Sequence, residues 1–552
     1  EMTAVEQPLQ IFQLAHWLVI VKSSRLTDRR FGIAPQPHIQ TGDALITADG
    51  STAQWPDADV VIGNPPFIGN KKMRGRLGAA YVEALRKAYE GRVPGGADLV
   101  CYWFDKANDL ISAGQLQRAG LVATNSIRGG RNRQVLQQVC DSARIFNAWS
   151  DEAWINEGAA VRVSLICFGL SSIPAVLDGL PAGTIFPDLT SAGEVTRENA
   201  DLTRARPLAE NAGVAFSGIT KKGAFDIDGK CARQMLLESG NPNGRHNSDV
   251  LSPWKNGEAI VNRDPDKWII NFGERSEVDA SLYPGPFTVV ENHVKPARST
   301  SNAKGERENW WKLARRAPDM FAAIQGHHRF IVTPEVSKHR IFAWLSPGTV
   351  PDKNLVVIAR DDLVTFGVLH SRLHELWALR MGTSLEDRPR YTSSTTFRTF
   401  PFPPGLTLED TAYQQTAVLP DGTLIPANLP VGIRRHAAAI ARAAKRLDEL
   451  RQAWLNPPEW TKRVPEVVPM GMKTSPYPDR IEAKPGCEKD LAKRTLTNLY
   501  NERPAWLDTT HKDLDKAVAS SYGWTDYTPA MRDEEILSRL LTLNLEQSKS
   551  TD

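Results

Sequence analysis

Cysteine is scarce: 552 residues hold five, Cys101, Cys140, Cys167, Cys231 and Cys487. They are odd in number, mostly in apolar surroundings and without metal-ligand spacing, so neither a disulfide framework nor a structural zinc site is expected, and a reducing, cytoplasmic home follows. None of the eleven histidines falls in a triad or ligand spacing, and His327-His328 reads as surface. Long hydrophobic runs are missing too. The most apolar stretches, residues 12–21 and 161–170, are too short and too interrupted to cross a bilayer, so no membrane partner is expected. The N-terminus lacks the basic, apolar, small-residue order of a signal peptide. An excess of one charge is absent as well: 67 Lys and Arg against 64 Asp and Glu leave a net +3. That excludes a general polycation and leaves any nucleic-acid affinity to local clusters.

What is present is an ordinary globular composition, 41% hydrophobic, with length enough for two to four domains. The most informative stretch is residues 58–67, an apolar run that stops at Asn64-Pro65-Pro66-Phe67. It predicts a buried strand with its chemistry at the end, where α/β sheets place their sites. Two prolines cannot continue a ladder and hold the backbone extended, which leaves the Asn64 carboxamide and the Pro65 carbonyl as acceptors beside the Phe67 ring. Paired acceptors next to an aromatic plane suit an amino group on a flat base, adenine N6 or cytosine N4. The competing reading of the tetrapeptide is a strand-terminating turn.

Around this stretch, residues 7–22 carry apolar side chains at helical spacing, and residues 35–46 read as a strand followed by the Gly42-Asp43 turn. Residues 69–76 read as a flexible cationic loop, with Lys71, Lys72, Arg74 and Arg76 suited either to phosphates or to plain solvation. A helix capped by Asp98 is expected over residues 98–113, its aromatic face core rather than a cofactor box. A strand over residues 120–127 then leads to a basic loop with Arg128, Arg131 and Arg133, and further strands are expected at 144–149 and 161–168. From about residue 202 to 404 short apolar runs at 268–272, 287–290, 329–334, 341–345 and 355–359 predict an α+β region with substantial strand. Interleaved cations and tryptophans there, among them Arg298, Lys312, Arg315 and Arg340, suit phosphate positioning and base reading. Residues 430–454 form a strong amphipathic helix pattern, and more helices follow a proline-rich connector at 464–488.

The strings VVIGNPPFIGNKKMRGRLG, GRVPGGADLVCYWFDKA, GLVATNSIRGGRNR, RYTSSTTFRTFPFP and LYNERPAWLDTTHKDLDKAV resemble the methyltransferase and specificity regions of the MmeI-like restriction-modification family, and NPPF resembles the motif of amino-methylating DNA methyltransferases. The resemblance implies an α/β, Rossmann-like methyltransferase core at residues 1–190, an α+β target-recognition domain at 200–405 and a C-terminal helical region at 406–552. It implies transfer of a methyl group from S-adenosyl-L-methionine to adenine N6 in double-stranded DNA, the adenine flipped out, in a restriction-modification or phage-defence setting with further subunits as partners. Asn64, Pro65, Pro66 and Phe67 would be catalytic, and Asp43, Glu6 and Asn64 would hold the cofactor. Lys71, Lys72, Arg74, Arg128, Arg131, Arg133, Arg298, Lys312, Arg315 and Arg340 would contact DNA, with Trp154 as a second aromatic against the base. One departure stands out: the glycine-rich cofactor loop of such enzymes is missing before Asn64, as if the first strand were cut away, and the nuclease of full-length relatives is missing too, so cleavage is not expected. Two alternatives stay open, a methyltransferase acting on RNA or on protein glutamine, and a DNA-binding fragment without catalysis.

Overall fold

The computed structural model describes residues 2–6, 17–21, 40–156, 159–170, 172–191, 202–238, 240–385, 388–411 and 416–549. The chain divides into two compact units, Glu1–Arg204 and Ala205–Asp552. The regions expected at 200–405 and 406–552 therefore fall almost wholly within one unit.

The first unit is built on a sheet of nine strands: β1 Met2–Glu6, β2 Trp17–Val21, β3 Gln40–Thr41, β4 Val60–Gly63, β5 Arg118–Thr124, β6 Arg144–Asn156, β7 Ala159–Gly169, β8 Ala175–Leu177 and β9 Leu180–Ala182, in the order β3-β1-β2-β4-β5-β7-β6-β8-β9. The sheet is mixed. β4 and β5 run parallel, β1 and β3 run parallel, and β2 is antiparallel to both β1 and β4. The helix expected over residues 7–22 is overturned at 17–21, where Trp-Leu-Val-Ile-Val is a strand; the rest of that range lies outside the described residues. Five consecutive apolar residues, two of them valine, satisfy a strand paired on both edges as well as they satisfy one helix face.

Among the described residues four α-helices accompany the sheet: α1 Asn70–Leu77, α2 Ala79–Ala88, α3 Cys101–Ser112 and α4 Gly130–Ser142. Their buried residues, Met73, Val82, Leu85, Phe104, Ile111 and Val135 among them, share one core with Val61, Leu121, Ile166 and Phe168 of the strands. Tyr102, Trp103 and Phe104 are all buried, so the aromatic face of α3 is core, as its spacing implied. The two basic loops expected after β4 and β5 are instead helical, α1 and the start of α4.

The second unit holds two four-stranded sheets. One orders Ala215–Ser217, Leu355–Ile358, Phe330–Pro334 and Ala343–Leu345; the other orders Asp226–Asp228, Lys267–Ile270, Leu251–Lys255 and Val350–Pro351. The apolar run at 287–290 is not a strand but part of the helix Pro284–His293, started by a proline at its first turn. The 25-residue helix Val431–Leu455 buries Ala437, Ile440, Ala441, Ala444, Leu447 and Arg451 along one face. The connector at 464–488 contributes a strand, Arg480–Ala483, paired antiparallel with Thr461–Val464.

Candidate active site

β4 ends where its sequence said it must. Val61 is buried, the ladder closes at Gly63, and Asn64 to Gly69 run without regular structure into α1. Pro65 and Pro66 are buried, while Asn64 and Phe67 are half-buried. The Oδ1 of Asn64 is itself fully buried, yet among the described residues it accepts no hydrogen bond. An unpaired buried acceptor costs roughly 1–3 kcal/mol.

The loop is held from behind by Asp98. Its carboxylate accepts from the Asn70 amide at 2.8 Å, the Ser126 hydroxyl at 3.0 Å and the Asn132 Nδ2 at 2.8 Å. Its own amide donates to Asn132 Oδ1 at 2.9 Å, and Leu99 N donates to Ile68 O at 2.9 Å. The sequence marks Asp98 as the cap of its own helix; instead it caps α1, 28 residues earlier, and binds the ends of β4 and β5 together. Only the tertiary fold reveals that role. Asp98→Ala is expected to destabilise this corner by on the order of 3 kcal/mol, because three donors lose one charged acceptor. Hydrogen exchange at the Asn70–Met73 amides reads it, and unchanged protection there would refute the clamp.

The topology also gathers the cofactor candidates. Because β1, β3, β4 and β5 all point the same way, their C-terminal ends lie on one edge of the sheet, with Glu6 registered to Thr41 and Gly63 to Leu18. Glu6, Asp43 and Asn64 are thus brought to a common edge, β3 and β4 being about 14 Å apart at ordinary strand spacing. Asp43 is exposed; its Oδ1 accepts from Leu45 N at 2.8 Å and Ile46 N at 3.2 Å. Burial, followed by the charge and hydrogen bond of Asp43, pushes the Tyr81 hydroxyl far up, so Tyr81 stays a donor to that carboxylate. Among the described residues no cluster of three or more His, Cys, Asp or Glu is placed to hold a metal, and no helix is long and apolar enough to cross a membrane.

The cations expected at DNA sort into two groups. Lys71 and Lys72 are exposed on α1, Arg74 is exposed in a pair with Glu83 at 3.3 Å, and Arg315 is exposed in the second unit. Arg131 is exposed beside the Gly95 carbonyl, and Arg133 is half-buried. Lys312 donates to the Glu274 carbonyl at 3.2 Å. Others are turned inward. Arg128 donates to the Asp188 and Ser150 carbonyls and to Asn125 Oδ1, at 3.1, 3.3 and 3.3 Å. Arg298 is 4% exposed, and Arg340, 9% exposed, gives its donors to Thr333 Oγ1 and the Pro334 and Pro389 carbonyls. Burial lowers the Arg340 guanidinium to about 10. Arg298 and Arg340 are therefore structural cations rather than phosphate contacts. The backbone of Trp154 sits in β6 opposite Val161, and its side chain lies outside the described residues.

Residues 9–176 match the family model described as MmeI, DNA-methyltransferase domain, and residues 246–404 match MmeI, target recognition domain. No curated protein matches the chain. Among solved structures, the type IIL restriction-modification enzyme MmeI in complex with DNA is similar at a TM-score of 0.64 and 20% identity, over 93% of this chain and 60% of that one. The chain thus spans about three fifths of that enzyme's length, and at this identity the likeness is one of fold. The type IIG restriction endonuclease BpuSI (9% identity, 88% of this chain, 56% of that one, TM-score 0.22) and a DrdV–DNA complex (11%, 90%, 56%, 0.29) are too distant to bear on the fold. With an MmeI-type DNA-methyltransferase domain followed by an MmeI-type target-recognition domain, the chain belongs to the MmeI-like family.

Proposed function

We propose that this chain transfers a methyl group from S-adenosyl-L-methionine to the N6 of an adenine flipped out of duplex DNA at a specific sequence, within a restriction-modification or phage-defence system. The observation that carries the reading is the buried, unpartnered Oδ1 of Asn64 at the end of β4, next to two buried prolines and the half-exposed Phe67 ring.

An exocyclic amine supplies the N–H that this acceptor lacks, and the Pro65 carbonyl takes the second. Both acceptors draw the amine hydrogens toward the protein as the nitrogen lone pair attacks, and Phe67 stacks on the base to hold it out of the duplex. For the adenosine half of the cofactor the chain offers Asp43, an acceptor just past β3 suited to the adenine amino group, with Glu6 in register at the end of β1 as the residue type that takes ribose hydroxyls. When bound, the cofactor supplies a methyl carbon on a sulfonium, already electrophilic, so the chain needs no nucleophilic side chain of its own.

The test is methyl transfer from labelled S-adenosyl-L-methionine into genomic DNA, followed by digestion to nucleosides. Label in N6-methyl-2′-deoxyadenosine is expected; label in protein, or in RNA alone, would overturn the substrate assignment. Asp43→Ala is expected to weaken calorimetric cofactor binding by about tenfold or more, for loss of one specific hydrogen bond in the pocket.

A second reading, DNA recognition without catalysis, is favoured by one feature: the strand beside β4 is Trp17–Val21, running antiparallel. Under that reading the chain binds duplex but no S-adenosyl-L-methionine, which the same calorimetry decides.

A further inference from the structure

The second unit holds a cleft of 500 Å³ between the turn at residues 220–222 and the segment 303–316. Its lining includes Lys222, Arg298, Lys312, Arg315 and Arg316 against one carboxylate, Glu306, an excess of four positive charges. We infer that this cleft grips the phosphodiester backbone of duplex DNA, an inference that rests on the DNA-modifying function proposed above.

Arg298 explains how the cleft is built. Buried at its floor, the guanidinium donates on one side to the carbonyls of Lys221 (2.8 Å) and Lys222 (3.1 and 3.2 Å). On the other side it donates to those of Asn309 (3.3 Å), Trp310 (3.2 Å) and Lys312 (2.5 Å). One side chain thus ties both walls together. Among the described residues it meets no carboxylate directly, and Glu306 acts on it through space. Lys222 sits in the left-handed region, at φ 44°, a conformation worth roughly 1 kcal/mol of strain for lysine. The Arg298 bonds to the carbonyls on either side of that turn hold it there, and the Lys222 side chain, 61% exposed, reaches Glu306.

The cations at the mouth are held by carboxylates. Lys222, 61% exposed, meets the 21%-exposed Glu306 at 2.6 Å, and the more buried Lys312 and Arg316 meet the 71%-exposed Glu274. Lys222 and Arg315 are the exposed cations of the lining, so a phosphate oxygen reaches these two first. The lining contains no aromatic side chain. A base finds no aromatic face there, and cations without ring partners suit a chain of phosphates, so the contact positions DNA without reading its sequence.

The test uses the full chain and a random-sequence 30-base-pair duplex in fluorescence anisotropy, titrated between 50 and 200 mM salt. The variant is Lys222→Asn with Arg315→Ala: asparagine keeps the left-handed backbone, and both side chains are exposed. Losing two phosphate contacts is expected to weaken binding by a factor of about ten to a hundred at 50 mM salt and to make the log–log salt dependence shallower by about two. Tripolyphosphate is expected to compete no better than its ionic strength requires. Unchanged affinity and slope in the variant would overturn the cleft assignment alone and leave the DNA reading standing. Tight tripolyphosphate binding that displaces the duplex would mark a free-phosphate site and overturn it as well. Wild-type chain that fails to bind duplex at all would overturn both.

Discussion

Asn64→Ala is expected to lower methyl transfer by a factor of about a hundred to a thousand, the scale on which removal of one preorganised hydrogen-bonding group acts on a transition state. The same variant is expected to be no less stable than the wild type. The two outcomes belong together, because Oδ1 is buried without a partner in the folded chain, so deleting it removes a standing penalty as well as a catalytic acceptor. A turn asparagine behaves in the opposite way: its loss costs stability and leaves chemistry alone. Asn64→Asp keeps an acceptor but brings a charge into a half-buried site, so it is expected to retain a small activity at a cost in stability. Single-turnover methylation and thermal unfolding of the three proteins decide the matter. Full activity in Asn64→Ala would remove Asn64 from the catalytic set.

The second large effect concerns pH and the second unit. His370, His374 and His511 are buried, and burial is the leading cause that holds each imidazole neutral: His374 and His511 fall to about 3, and His370 falls well below its usual value. Their hydrogen bonds agree with neutral rings. His370 Nε2 accepts from Arg451 at 2.7 Å and from the Phe342 amide at 3.3 Å, and His511 Nε2 meets the Tyr500 hydroxyl at 3.0 Å. A histidine depressed in the folded state contributes stability that is complete above the unfolded value of 6.5 and is lost as pH falls toward 3, because the unfolded chain alone takes up protons. Between pH 7 and pH 5 each such histidine removes about 2 kcal/mol. Asp515 works against this. Burial raises its carboxyl to about 7, so the folded state binds a proton there before the unfolded one does, and acid adds stability. Glu375 and Asp448, raised by burial, act in the same sense.

Differences between variants isolate each group. Asp515→Asn retains an oxygen for the Arg372 amide, which now donates to Oδ1 at 2.7 Å, and is expected to steepen the loss between pH 7 and pH 5 by about 2 kcal/mol. His511→Gln is expected to make it shallower by a similar amount. Denaturant titrations at the two pH values measure both, and imidazole proton shifts that move through pH 6 for His374 or His511 would contradict their burial as neutral rings.

How much of this was legible before the fold is seen depends on how local its cause is. The strand before Asn64, its stop at two prolines and the half-exposed Phe67 follow from adjacent residues, and the structure has them. So does the helix Val431–Leu455, whose period repeats over seven turns. Trp17–Val21 was misread as helix and 287–290 as strand because a short apolar run satisfies either period until a partner or a capping proline chooses. Among the cations, the count and spacing of Arg298 and Arg340 match those of Arg315. Which of them is buried depends on carbonyls contributed from elsewhere in the chain, 76 residues away for the Arg298–Lys222 bond and 49 for Arg340–Pro389.

Read from neighbours alone, the sequence places two acceptors and an aromatic ring at a strand end, in a chain with few cysteines and little net charge, with motifs of the MmeI-like family along most of its length. Tertiary structure alone decided that the Asn64 acceptor is buried and unpartnered, that Asp98 locks the loop bearing it, and that Arg298 is the floor of a cleft rather than one of its contacts. The reason is physical. Hydrogen-bond partners and burial are properties of residues distant in sequence that meet only when the chain has folded, whereas strand ends, turns and helical periods are written in neighbours.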